Sequence, residues 1–304
     1  MTRVIIGVHG LGNKPDKDTL HEWWKRSIHE GLEKNGFKNP LPEIEMVYWA
    51  DIMYKKPLDK TIGDPESPLY IDEAYTPQPR NYVPGNNKIL QRVLVFLGKQ
   101  INKIFLNDDF TLNYSFIADF IVRKYFRDMD IYYREDCRME NYELCKVKEL
   151  IKKRLSYTLE KHKDNEIMLV SHSMGSIVAF DVMSFISPEI KVHTFVTMGS
   201  PLGVPLIVSK IATQYKNSPK GKKEMITPPG VYKRWCNFYD VLDKITLNQN
   251  LGLRYEPNHH RVKPKDIKVV NDYHSQEGIH NPHKSFGYLR TKEFAAILNG
   301  FLTG

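Results

Sequence analysis

Residues Ile167-Met168-Leu169-Val170-Ser171-His172-Ser173-Met174-Gly175-Ser176-Ile177-Val178 decide how this chain is read. The short apolar run ending at Val170 has the composition of a buried strand, and the helical pattern from Met174 to Ile186 starts at once after Ser173. A strand that turns directly into a helix lifts the residue at the bend above the end of the sheet. The bend needs small neighbours, because the chain passes close to itself there. The helix start adds a partial positive charge, and the Met174 amide can donate to an oxygen that becomes negative. Ser173 is therefore a candidate nucleophile and Met174 a candidate oxyanion donor. The plainer alternative is a serine that caps a helix.

On the N-terminal side, Val4–Val8 reads as a buried strand ending in His9-Gly10-Leu11-Gly12. A helix follows over Asp18–Leu32 and a second strand over Ile44–Trp49. Residues 51–87 hold Pro57, Pro65, Pro68, Pro77, Pro79 and Pro84, a density that breaks regular elements. Apolar helices are expected over Ile89–Phe105 and Phe116–Phe126. An amphipathic helix is expected over Cys145–Lys161, with Leu150, Ile151, Leu155 and Leu159 on one face. Downstream of Ser173, strands are expected at Val192–Met198, Val231–Tyr239 and Ile267–Val270, with a closing helix at Glu293–Leu302. Alternating strands and helices predict an α/β fold, with a mainly parallel sheet and helices on both faces. The expected division is a core of residues 1–50 and 141–304 interrupted by an inserted cap, 51–140. Aromatic residues of the cap (Phe105, Phe110, Tyr114, Phe116, Phe120, Tyr125, Phe126) could wall an apolar pocket or simply pack the cap onto the core.

A serine nucleophile needs an imidazole base, and the imidazole needs a carboxylate to hold its tautomer. Asp240 and Asp243 follow the strand Val231–Tyr239, where a parallel sheet places its active-site rim. His274, His280 and His283 follow the last strand. The residues alone leave both choices open. His259-His260 precede that strand and read as exposed loop residues.

Ser171-His-Ser173-Met-Gly175 resembles the nucleophile elbow of the α/β-hydrolase superfamily, Gly-x-Ser-x-Gly, with Ser171 in place of the first glycine. His9-Gly10-Leu11-Gly12 resembles the oxyanion loop of the same superfamily. That resemblance implies Leu11 as the second oxyanion donor and His9 as a buttress of the loop. It also implies the chain order serine, acid, histidine. Trp235-x-Asn237-x-x-Asp240-x-x-Asp243-x-Ile245 is similar to the acid segment of lipase-like members, which selects Asp243 and keeps Asp240 in reserve. Asn281-Pro-His283-Lys-Ser-Phe-Gly-Tyr288 looks like their histidine loop, which selects His283 and keeps His274 in reserve. Gly199-Ser200-Pro201-Leu202 is similar to another of their strand-end loops. The resemblance starts at the strand before the oxyanion loop, so a sheet of about six strands is implied. The implied activity is lipase- or esterase-like hydrolysis through an acyl-enzyme. Thioesterase, amidase and acyltransferase chemistry would use the same groups, and a non-catalytic binding module is the alternative of another class.

Of the 304 residues 41% are hydrophobic and 26% charged, a composition that supports a large core. The net charge of +8 is spread in short clusters such as Lys152-Lys153-Arg154, with no pattern that would place nucleic-acid bases. The expected partner is a small or lipid-like ester, with weak membrane-surface contact through the cap as a second expectation and no nucleic acid. Cys137, Cys145 and Cys236 suit neither a disulfide framework nor a metal site, and no cofactor or metal is expected. With no signal peptide and no long apolar run, the cytoplasm is the expected location.

Overall fold

A computed structural model describes residues 2–78, 132, 142–217, 225–246 and 250–304. Its centre is a six-stranded sheet in the order β2-β1-β3-β4-β6-β8, with every pairing parallel. The strands are β1 Arg3–Val8, β2 Glu43–Val47, β3 Glu166–His172, β4 Val192–Met198, β6 Val231–Tyr239 and β8 Pro264–Lys268. A separate two-stranded ladder pairs β5 Met225–Ile226 with β7 Tyr255–Glu256, short elements that the sequence reading did not anticipate.

Both faces of the sheet are covered, and the period of two in β1 shows how. Val4, Ile6 and Val8 join one core cluster, and Ile5 joins the other. On the first face lie α3 (Tyr142–Lys161), α4 (Met174–Asp181) and α5 (Pro205–Asn217), which bury Ile151, Leu155, Ile177 and Ile207. On the second lie α1 (Lys17–Lys34), α6 (Ser285–Leu289) and α7 (Lys292–Thr303), which bury Trp24, Ile28, Phe286 and Phe294. Each such side chain contributes about 1.5–3 kcal/mol on leaving water. Helix α1 starts where Asp16 accepts the Thr19 amide at 2.9 Å, satisfying one of the amides a helix start leaves free.

Several boundaries differ from expectation. The last strand runs Pro264–Lys268 rather than Ile267–Val270, because Pro264–Lys268 is the stretch in register with Trp235–Tyr239 on β6. A proline is tolerated as the first residue of this edge strand, and Val270 is left exposed. Strand β2 ends at Val47, since the Trp49 amide leaves the sheet to donate to His9 Nε2. The helix after Ser173 is α-helical to Asp181 and closes in a π-turn over Val182–Ile186. Leu150 is exposed on α3, where Ile151, Leu155 and Leu159 make the packed face. The expected helices Ile89–Phe105 and Phe116–Phe126, and with them the cap aromatics, lie outside the described residues.

Between the short helix α2 (Ala50–Met53) and Gln78 the chain forms neither helix nor strand, apart from a bridge between Leu58 and Pro15. This matches the proline content. Among the described residues no helix is long and apolar enough to cross a membrane.

Candidate active site

The site lies at the C-terminal ends of the strands. From β1 the sheet extends to β2 on one side and to β3 on the other, so the loops after β1 and β3 flank the point where the strand order reverses. Open α/β sheets bind ligands at such a crevice. Ser173 follows β3, His9-Gly10-Leu11 follows β1, Asp243 lies beyond β6, and His283 lies in the loop after β8.

Ser173 takes φ 51° and ψ −127°, a backbone conformation that a non-glycine residue adopts only when its surroundings enforce it. They do so here. The Ser173 amide donates to Met198 O at 2.9 Å. A Cβ on Gly175 would stand 2.5 Å from the carbonyl oxygens of Val8 and His9, so this position admits only glycine. Ser171, at the place of the usual first glycine, is buried, and its hydroxyl donates to Val196 O at 3.0 Å. The elbow thus accepts a serine because β4 supplies an acceptor for its hydroxyl. Ser176 Oγ donates to Ser173 O at 2.6 Å and meets Ser200 Oγ at 2.7 Å, tying the Gly-Ser-Pro loop to the elbow.

Three side chains stand in a hydrogen-bonded row. His283 Nε2 is 3.0 Å from Ser173 Oγ, and His283 Nδ1 is 2.8 Å from Asp243 Oδ2. A carboxylate only accepts, so Nδ1 carries the proton and the Nε2 lone pair faces the serine hydroxyl. Asp243 is fully buried, and its other oxygen accepts the Ile245 amide at 3.0 Å. The reserve residues stand apart from this row. Asp240 accepts the amides of Leu242 and Asn271 at 2.8 and 2.7 Å, and burial pushes its carboxyl up. His274 Nδ1 lies 3.0 Å from Asp272 O, and its ring packs on His280 at 4.8 Å.

His9 holds the loop after β1. Its Nε2 accepts the Trp49 amide at 2.9 Å, so its Nδ1 carries the proton and donates to Gly10 O at 2.8 Å. Burial, with the Lys14 charge beside it, lowers its pKa to about 3, so the ring is neutral. A trans peptide opposes its C=O and N–H. Anchoring the Gly10 carbonyl on His9 therefore turns the Leu11 N–H the other way. That peptide lies against the serine, for a Cβ on Gly10 would be 2.8 Å from Ser173 Cβ. The Lys14 ammonium folds onto the carbonyls of Leu11, Gly12 and Asn13. Met174 is the first residue of α4, and its amide has no acceptor within the helix.

Two residues beside the row lie within the motif segments, yet the sequence assigns them no role. Tyr288, fully buried on α6, donates its hydroxyl to Asp243 Oδ2 at 2.8 Å and accepts the Asp240 amide at 3.1 Å. Burial and the Asp243 charge raise its pKa well above the tyrosine range, so it remains a donor. Its only trace in the sequence is a tyrosine five residues past His283. His172, inside the elbow itself, donates from Nε2 to His283 O at 2.6 Å, and burial beside His283 holds its imidazole well below the ordinary range. His259 and His260 are exposed, as expected, with ring centres 3.9 Å apart.

Ser173 and His283 open on a cleft of about 320 Å³. Leu20, Trp23, Leu58, Ile71 and Phe286 are its main apolar lining, and Asn13, Asp72, Glu73 and Lys284 line it with polar groups. Away from the site, at the start of β2, Glu43, Glu45 and His162 bring one ligand atom each within 4.8 Å. Glu45 Oε2 there already accepts Lys161 Nζ and His162 Nε2, both at 2.6 Å.

A family model described as PGAP1-like alpha/beta domain matches residues 83–281. The matched span contains Ser173 and Asp243 and stops just short of His283. No curated protein matches the chain.

Proposed function

The chain belongs to the PGAP1-like alpha/beta domain family, a family of the hydrolase fold, and from that premise we propose that it is a serine hydrolase cleaving carboxylic esters through an acyl-enzyme. The observation that carries the proposal is the row Asp243–His283–Ser173 at the strand ends, with the serine on a strained turn.

Ser173 Oγ attacks the acyl carbon while His283 Nε2 takes its proton. Asp243 stays ionised and stabilises the imidazolium. The amides of Leu11 and Met174 receive the oxyanion, and each such donor typically contributes about 100- to 1,000-fold in turnover. The tetrahedral adduct collapses as His283 returns the proton to the departing alkoxide. Water, deprotonated by the same nitrogen, then adds to the acyl-enzyme. Its collapse releases the carboxylic acid and reprotonates Ser173. The cleft with apolar and polar linings suits a small or lipid-like ester. A reducing, cytoplasmic setting belongs to the same proposal, supported by an odd and sparse set of three cysteines that offers no disulfide framework. Microscopy of a tagged chain that placed it in a secretory compartment would refute that setting.

The test is hydrolysis of short p-nitrophenyl esters together with labelling by a fluorophosphonate. The wild type is expected to turn over and to carry the label on Ser173, and Ser173→Ala to lose both while staying folded. Undiminished turnover in that variant defeats the assignment. A folded wild type that neither labels nor turns over would favour a binding module. A panel of thioester, amide and acyl-acceptor substrates separates the esterase from enzymes using the same groups.

A further inference from the structure

Residues 71–73 line the cleft, and the strap 72–78 is pinned along its length. Tyr273 Oη donates to Ala74 O at 2.6 Å, Thr76 Oγ1 to His274 O at 2.5 Å, Arg290 Nη1 to Thr76 O at 2.7 Å, and the Gln78 amide to Glu30 Oε1 at 2.8 Å. Most of these contacts lead to the segment that carries His283 or to its flanks. Glu73 goes further. One of its oxygens accepts Asn281 Nδ2 and the other accepts Lys284 Nζ at 2.8 Å. Asn281 Oδ1 in turn accepts the His283 amide at 2.9 Å, and the Lys284 amide donates to Asn281 O at 3.2 Å. One carboxylate therefore grips the residue two before His283 and the residue one after it. Burial pushes the Glu73 carboxyl up, but Lys284 and Asn281 outweigh it and hold the group below the usual range, so it is ionised at neutral pH.

We propose that Glu73 is a positioning residue for His283. By clamping Asn281 and Lys284 it keeps the histidine loop in register with Ser173, so the segment inserted after α2 forms part of the catalytic apparatus and not merely its cover. The inference rests on the serine-hydrolase reading. The His283 ring is fixed by Asp243, but the course of its backbone is set by His172 at the carbonyl and Asn281 at the amide. Asn281 itself is steadied by Glu73. A displacement of about 1 Å in a reacting group can cost about 100-fold in rate.

The experiment measures kcat and KM on p-nitrophenyl butyrate with the full chain, per site labelled by fluorophosphonate. Glu73→Ala is expected to lower kcat about tenfold or more and to move KM by less than about threefold. Glu73→Gln keeps an oxygen for Asn281 and is expected to retain most of the rate. Asn281→Asp preserves the acceptor for the His283 amide but sets two carboxylates against each other. Its loss is expected to be largely restored when Glu73→Gln is added, because the donor and acceptor are then exchanged. Such rescue of kcat per active site is not expected of a residue that only stabilises the fold, and it remains measurable if Glu73→Ala does not fold. The proposal is overturned if Glu73→Ala keeps kcat within twofold, if its loss lies wholly in KM, or if the exchanged pair is no better than Asn281→Asp. Failure of the hydrolase reading shows separately, as a wild type that neither turns over nor labels, and it removes the positioning role with it.

Discussion

Asp243 Oδ2 receives two donors at once, the His283 Nδ1–H and the Tyr288 hydroxyl. The second donor helps to hold the carboxylate for the first. A hydrogen bond to a charged group is worth about 1.5–3 kcal/mol. In Tyr288→Phe the carboxylate loses one of the two donors that orient it toward His283. kcat/KM is therefore expected to fall about tenfold. A kcat/KM within about twofold of wild type would show that Tyr288 only packs. Ser173 is marked in the sequence by its motif, whereas Asp243 and His283 are selected over Asp240 and His274 there only by the family resemblance, since chain order admits all four. Tyr288 is not marked at all, because its partner lies 45 residues away and nothing local distinguishes it from any core tyrosine. Glu73 was hidden for a similar reason, being one acid in a proline-rich stretch whose course only tertiary contacts decide.

At the scale of the element, the elbow holds a strained residue that costs about 1–3 kcal/mol, which the flanking strand pairings and helix must outweigh. Gly175→Ala adds a methyl where two backbone oxygens stand 2.5 Å away, and neither can move without breaking β1 from its place. We expect it to lose about 2 kcal/mol or more in urea unfolding. Loss of under about 0.5 kcal/mol would mean that the turn is looser than described. Ser171→Gly restores the usual residue but removes the hydroxyl bonded to Val196 O and adds backbone freedom, so a smaller loss of about 1–2 kcal/mol is expected in the same assay. Strand and helix order were legible from hydrophobic periodicity. The ends were not: β8 begins at Pro264 because pairing with β6 sets its register, and Leu150 faces solvent because the packed stripe of α3 runs through Ile151.

For the molecule as a whole, two buried neutral histidines set a pH dependence. The His9 pKa falls to about 3 in the folded chain, and that of His172 lies well below its ordinary value. Below about pH 6.5 the unfolded chain binds protons that the folded chain refuses, so stability is full above that pH and is lost as pH falls. Each such group contributes about 1.4 kcal/mol per pH unit through this window. Asp240 and Asp266, pushed up by burial, act in the opposite sense at lower pH. The melting temperature is therefore expected to fall between pH 7 and 5.5, before most carboxylates titrate. Melts followed by circular dichroism would check this, and an unchanged value across the interval would contradict it. A second whole-molecule device is Arg290, almost fully buried, which links Asp272, Glu30 on α1 and Thr76 on the strap. Arg290→Met leaves Asp272 buried without its cation and is expected to cost about 3–5 kcal/mol by urea unfolding. A cost below about 1 kcal/mol would show that the strap is held without it.

The sequence by itself determined the layered α/β architecture, the turn that presents Ser173 and the order in which the acid and base candidates follow. These are local or periodic properties, carried by neighbours within a few residues. Only the tertiary structure decided that Asp243 and His283, rather than Asp240 and His274, stand in line with the serine, and that Tyr288, His172 and Glu73 surround them. Hydrogen bonds across tens to hundreds of residues depend on where the sheet places each strand end, and no local pattern encodes that distance.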